Sequence, residues 1–420
     1  MNLRKANSLS IPAVLFLFLS AMNLAAQNNT GWTAPIETVE KMSKSRPELN
    51  FHEERVPEYT LPDLLTTLDG KKVKNAKSWD GERRPEILEL FRENVFGRVP
   101  ETSYEKSFEV VNVDKNALNG EATLKEVDVT ISRENKSLVI HLKLFTPNNA
   151  KKPVPTFLLI NNRGIENIDP TRANKSQFWP VEEVIARGYG IAAFYNADVD
   201  QDKFDEFRSG IHELLDKKPR PDDAWATIAA WAWGASRCLD YLVTDRDVDG
   251  DRVAVLGHSR GGKTALWAGA QDTRFGMTIS NESGCTGASL ARRRYGETVA
   301  RINKSFPHWF CTNYKKYNDR ESELPVDSHM LMALTAPRPL YVASASADIW
   351  ADPRGSYLAL HHAGPVYKLF KLPSHIPEAM PPLNKQVISG KVGYHVRAGG
   401  HNMLLEDWER FMNFADAVWK

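Results

Sequence analysis

The sequence predicts a three-layer α/β sandwich, a mostly parallel central sheet with helices on both faces. Three observations predict it. From about residue 150 onward, short continuous apolar runs alternate with helical stretches, the pattern of strands buried on both faces. The runs sit at 156–160, 191–195, 252–256, 277–279, 340–343 and 392–396, with helical patterns at 224–242 and 263–270 and a last one at 404–419. Finally, the run 252–256 leads directly into Gly257-His258-Ser259-Arg260-Gly261, and a helical stretch follows. G-x-S-x-G between a strand and a helix is the nucleophile elbow of the α/β-hydrolase fold.

The elements follow in order. Residues 1–26 read as a secretory signal. Arg4 and Lys5 supply the charge, 11–19 is the apolar stretch, and Ala25 and Ala26 precede a cut before polar Gln27. The apolar stretch is too short for a membrane span, and no Cys lies beside the cut for a lipid anchor. A secreted or periplasmic protein is therefore expected, with no membrane association after cleavage. Residues 27–100 are Pro-rich and charged, with a helical hint at 85–94. They read as an N-terminal wrap on a catalytic domain spanning 101–420. Val127, Val129 and Ile131 alternate with polar residues, as do Leu138, Ile140, Leu142 and Leu144, around a turn at 133–136. That predicts a β-hairpin at the sheet edge. The stretch 285–330 has weak periodicity and reads as an insertion near the site.

The 420 residues are 42% hydrophobic, ample for a large core, and Lys plus Arg (54) nearly balances Asp plus Glu (53). That balance, with no long run of one sign, excludes a bulk-charge case for nucleic acid. Of the three cysteines, Cys238 lies in an apolar helical pattern and reads as a buried free thiol. Cys285 and Cys311 flank the same insertion, and in an exported protein they are expected to form a disulfide. No C-x-x-C spacing supports zinc, so neither a metal nor a cofactor is expected.

The elbow carries the chemistry. Its glycines let backbone approach backbone where a Cβ would clash. The turn lifts Ser259 to a helix N-terminus, where backbone N–H groups favour an oxyanion. A serine hydroxyl needs a base, and the fold's chain order is Ser, acid, His. His401 fits the base: it follows the last strand through Gly399 and Gly400 and precedes the last helix. His375 sits in a Pro-rich loop, His395 inside a strand, and His361 and His362 at the start of a turn, so each reads as a surface or packing residue. Two acids compete to orient it. Asp348 follows the 340–343 strand and Glu282 the 277–279 strand, and both lie just past a strand's carboxyl end. Asp348 holds the more usual place. Arg260 is placed to reach an oxyanion, and Lys263 lies one helical turn past Ser259, near bound substrate or simply on a solvated face.

Several blocks resemble the glucuronoyl esterases, and in particular their bacterial branch: the elbow Gly257 to Lys263, Asn281-Glu282-Ser283-Gly284-Cys285, Arg292-Arg293-Arg294-Tyr295-Gly296-Glu297-Thr298, Phe306-Pro307-His308-Trp309-Phe310-Cys311 and Asp348-Ile349-Trp350-Ala351-Asp352-Pro353. The resemblance runs from about Val154 to the C-terminus. It implies metal-free serine hydrolysis of 4-O-methyl-glucuronic acid esters on glucuronoxylan, including lignin–carbohydrate links. It matches Ser259 and His401 to nucleophile and base and Arg260 to the oxyanion arginine. Lys263, Glu297 and Trp350 match positions that hold the sugar hydroxyls. Glu282 matches the acid of fungal members and Asp348 that of bacterial ones, so the choice between them stays open. His258 stands where fungal members have Cys, which removes their elbow disulfide. A monomer is expected. Two other readings share the sequence features: an acetyl-xylan or other exported serine carboxylesterase, and a carbohydrate-binding protein on a non-catalytic hydrolase fold.

Overall fold

The computed structural model describes residues 31–374 and 376–420. The signal segment 1–26 and His375 lie outside the described residues.

Ten strands form one sheet: β1 (Glu105–Ala117), β2 (Ala122–Arg133), β3 (Lys136–Pro147), β4 (Val154–Asn161), β5 (Gly190–Tyr195), β6 (Val248–His258), β7 (Met277–Asn281), β8 (Leu340–Ala345), β9 (Val387–Ser389) and β10 (Val392–Arg397). Their spatial order is β1-β2-β3-β5-β4-β6-β7-β8-β10-β9. The six strands from β5 to β10 in that order run parallel, while β1, β2, β3 and β9 pair antiparallel at the two ends. This is the α/β-hydrolase fold.

The central strands are apolar throughout because both of their faces are covered. Alternate residues of β4 feed opposite layers. Leu158 and Ile160 join a core with the helices Thr227–Leu242 and Arg260–Gln271, while Phe157 and Leu159 join another with Val181–Ala186 and Leu405–Trp419. The parallel strands all end at one rim, where the loops after β5, β6, β7, β8 and β10 gather.

The N-terminal region is built into this body. Residues from Leu64 to Phe96 enter the first core, with Phe96 stacked on Trp267 at 4.3 Å. The helical hint near residue 85 is the helix Arg84–Phe91. Residues 34–56 pack instead on Tyr295, Ile349 and Trp350, at the rim.

Three expectations need correction. The β2–β3 hairpin is not the sheet edge, because β1 pairs outside it. Strand β1 is mostly exposed and carries charges between its apolar residues, so no buried face marks it in the sequence. His361 and His362 do not open a turn; they lie inside the helix Pro353–Leu369, which continues through Pro365. The Cys285–Cys311 disulfide is absent: all three cysteines are free and buried. Cys285 lies beside Thr286 Oγ1, which pairs with Tyr314, whereas Cys311 is directed at the Glu93 carbonyl. Burial raises all three thiols, Cys311 to about 11, so these are packed, unreactive side chains. Three thiols are expected to titrate in unfolded, unreduced protein; a count of one would restore the bridge.

Candidate active site

Ser259 joins β6 to the helix Arg260–Gln271 with φ 57° and ψ −124°. An L-residue there stores strain of order 1–3 kcal/mol, a recurrent feature of functional turns. The strain is held by a tight crossing. A Cβ on Gly257 would lie 2.3 Å from the Gly261 carbonyl oxygen, so a side chain at 257 would force the elbow apart. Ser259 N–H donates to the Asn281 carbonyl at 2.9 Å, tying this turn to the end of β7.

His401 lies over this turn, its ring centred 4.4 Å from that of His258. Its Nδ1 is 2.7 Å from Asp348 Oδ2 and 3.4 Å from Glu282 Oε2. The imidazole is 42% exposed while Asp348 and Glu282 are 4% and 0% exposed, so the ring faces solvent with its carboxylates behind it. With Nδ1 engaged, Nε2 is the nitrogen left for chemistry. Burial pulls the His401 pKa down, but hydrogen bonds to Asp348 and Glu282 outweigh it and lift the value to about 9.

The two acids are held differently. Glu282, at φ 46° just past β7, accepts from Arg397 Nη2 at 2.6 Å and from the Asn402 N–H at 3.1 Å. Burial raises its carboxyl well above the usual range, against the pull of His401 and Arg397. Arg397 also binds Asp407 at 2.9 Å and the carbonyls of Gly400 and Asn402, so it braces both sides of the His401 loop. The ligand atoms of Glu282, Asp348 and His401 lie within 4.8 Å of one another. The guanidinium fixed on Glu282 opposes a cation there. Two of the rival histidines are occupied elsewhere. His395 bridges Tyr341 and Asp407 in the core, and His361 binds the Ile376 carbonyl.

Lys263 corrects the solvated-face alternative. It is buried, and its Nζ donates to the carbonyls of Ser283 at 2.6 Å and Cys285 at 2.5 Å and lies 3.4 Å from Glu297 Oε2. Its ammonium is spent on the loop after β7. Glu297 N–H in turn donates to the Trp350 carbonyl at 3.1 Å, linking that loop to the one after β8. Gly296 (φ 65°) permits this, since a Cβ there would lie 2.4 Å from the same oxygen. Trp350 is half-buried, with the Arg46 guanidinium 4.4 Å from its ring centre. The arginine block nearby is structural: Arg292 pairs with Asp327, Arg293 with Asp352 and Glu53, and Arg294 with Asp319.

Arg260 pairs through Nη1 with Asp202, in the loop after β5. Asp202 also accepts from His308 Nε2 at 2.9 Å and Trp309 Nε1 at 2.8 Å. Neither Asp202 nor Arg397 stands out in the sequence. Asp202 is one of several acids in its segment, and the one signal for Arg397 is a charge ending an otherwise apolar strand.

A strained strand–serine–helix elbow beneath a carboxylate-backed histidine defines an α/β hydrolase of the serine class. Comparison with known proteins narrows this. The family model described as glucuronyl esterase, fungi, matches residues 129–371. The prokaryotic carbohydrate esterase MZ0003, from an unknown organism, is 43% identical over 87% of this chain and 91% of its own length. The 4-O-methyl-glucuronoyl methylesterase 1 of Wolfiporia cocos is 27% identical, covering 88% and 84%. The solved glucuronoyl esterase from Solibacter usitatus superposes with a TM-score of 0.83 at 43% identity, covering 87% of this chain and all (100%) of that one. The chain belongs to the glucuronoyl esterase family.

Proposed function

We propose that this protein is an exported, monomeric serine esterase that hydrolyses esters of (4-O-methyl-)glucuronic acid in glucuronoxylan, including those joining it to lignin alcohols. The carrying observation is the convergence at one rim of Ser259 and His401–Asp348 with Lys263, Glu297 and Trp350. Family membership and the segment 1–26 support the substrate and the export route; among the described residues no helix is long and apolar enough to cross a membrane. Ser259 Oγ attacks the ester carbonyl while His401 Nε2 takes its proton. Arg260 and the backbone N–H groups at the helix start hold the oxyanion. His401 returns the proton to the departing alcohol, then activates water to release the uronate. Lys263 keeps Glu297 in place, and Glu297 and Trp350 receive the sugar hydroxyls.

The test compares methyl 4-O-methyl-glucuronate, methyl glucuronate and p-nitrophenyl acetate. Preference for the uronates is expected, and preference for acetate would overturn the reading. Glu297→Gln is expected to cost about 1.5–3 kcal/mol of transition-state binding on uronates, the size of a charge-assisted hydrogen bond, and little on acetate. Lys263→Ala is a different experiment. It breaks a buried ion pair and is expected to lower folding stability by about 3–5 kcal/mol, read from denaturant midpoints.

The base acts only when neutral. A His401 pKa near 9 therefore predicts that kcat/KM falls as pH drops below about 9. Asp348→Asn removes the larger favourable hydrogen bond, so the acid limb should move to lower pH while the plateau falls. An unshifted limb would detach Asp348 from His401.

A further inference from the structure

We propose that Asp202 is a positioning residue that aims Arg260 and cancels its charge, so that the site binds a neutral ester and releases an anionic acid. This rests on the proposed esterase reading and deepens it. The geometry comes first. Arg260 projects from the elbow beside Ser259, and its guanidinium lies 4.9 Å from the Trp309 ring centre and 5.4 Å from that of Phe306. Those two rings stack in parallel at 3.7 Å, forming one flat wall. Asp202 closes the arrangement by taking Arg260 Nη1 on Oδ2 and both His308 Nε2 and Trp309 Nε1 on Oδ1. One carboxylate thus joins the elbow arginine to the insertion that supplies the wall. The insertion is itself fixed: Thr227 and Ile228 N–H groups donate to the His308 and Trp309 carbonyls at 3.0 and 3.2 Å. The neighbouring Asp200 accepts from Thr227 Oγ1 at 2.6 Å, which anchors the Asp202 loop to the same helix.

The charge argument follows from the reaction. The ester is neutral, the tetrahedral intermediate carries its charge on one oxygen, and the product carboxylate shares its charge over two. A lone guanidinium at the elbow would hold the product nearly as well as the transition state, and turnover would stall on release. Arg260 paired with Asp202 forms a neutral unit. Nη1 is taken by Asp202, but Arg260 Nη2 has no hydrogen-bond partner among the described residues and the side chain is 30% exposed, so this nitrogen remains as a donor. A donor of this kind rewards charge localised at one point more than charge spread over two oxygens.

The test uses the whole protein and two readouts: turnover of methyl glucuronate and of p-nitrophenyl acetate, and inhibition of acetate hydrolysis by glucuronate. Asp202→Asn keeps the shape and removes the charge. It is expected to lower kcat about tenfold on both esters, as misaimed groups do, and to tighten the glucuronate inhibition constant about tenfold, as freeing one charge on an anion site does. In an Arg260→Gln background the same change should do neither, because it acts through the arginine. Asp202→Glu should recover the weak product inhibition. Losses that add independently of Arg260, or an inhibition constant that stays put in Asp202→Asn, would overturn the proposal. Wild-type protein active on acetate but not on methyl glucuronate would overturn the uronate reading alone, and the acetate cycle would still decide Asp202.

Discussion

Ser259→Ala is expected to abolish turnover of methyl glucuronate, with a loss of about 10³-fold or more, while the protein stays folded. His401→Ala should match it, since members of such a unit fail together and not in proportion. The folded state should survive because neither side chain supports the core. Ser259 is half-exposed and its turn is held by backbone, through the Asn281 carbonyl and the close passage of Gly257 over Gly261. Alanine adopts the strained φ of 57° about as well as serine, both being L-residues with a small Cβ substituent. Gly257→Ala is the opposite case, because its Cβ meets backbone that cannot retreat. Circular dichroism with kinetics on the two variants separates chemistry from folding. Folded Ser259→Ala with normal activity would end the serine mechanism.

How much of this is legible in the sequence differs by the kind of signal. The central strands were readable because burial on both faces leaves an unbroken apolar run. Strand β1 was not, since an edge strand with one pairing partner has no such constraint. The helix Pro353–Leu369 was masked by Gly364 and Pro365 near its end, where packing against the core overrides a poor local propensity. At the site, the serine and histidine follow from chain order and local turn chemistry. Asp202 and Arg397 do not, because their meaning lies in contacts 58 and 115 residues away, to Arg260 and Glu282. The disulfide expectation failed for a related reason. An oxidising compartment permits a bridge but says nothing of distance, and Cys285 and Cys311 turn to different neighbours. Lys263 sits on the elbow helix as the spacing indicated, yet only the fold reveals that its charge is consumed by two carbonyls and Glu297.

The division of labour between the two acids makes the last expected result. Asp348→Ala should cost about 10²–10⁴-fold in kcat, the range of general acid–base assistance, because its Oδ2 makes the short 2.7 Å contact with His401 Nδ1. Glu282 is farther, at 3.4 Å, and its other oxygen is committed to Arg397. It can still stabilise the imidazolium across that distance, and with Asp348 gone the Nδ1 proton has Glu282 as its nearest acceptor. Glu282→Gln should therefore cost less than Asp348→Ala. The pair should cost more than the two single losses combined, since each acid covers for the other. Glutamine is the informative choice at 282. Alanine would leave Arg397 buried against Asp407 alone and loosen the Gly400–Asn402 turn, mixing a folding defect into the kinetics. Kinetics of both single variants and the double on methyl glucuronate, with melting curves alongside, read the result. If Glu282→Gln abolishes turnover and Asp348→Ala leaves it intact, the assignment is reversed. If the double variant is as active as wild type, His401 is oriented by some other group and the Ser259–His401–Asp348 array is not the catalytic one.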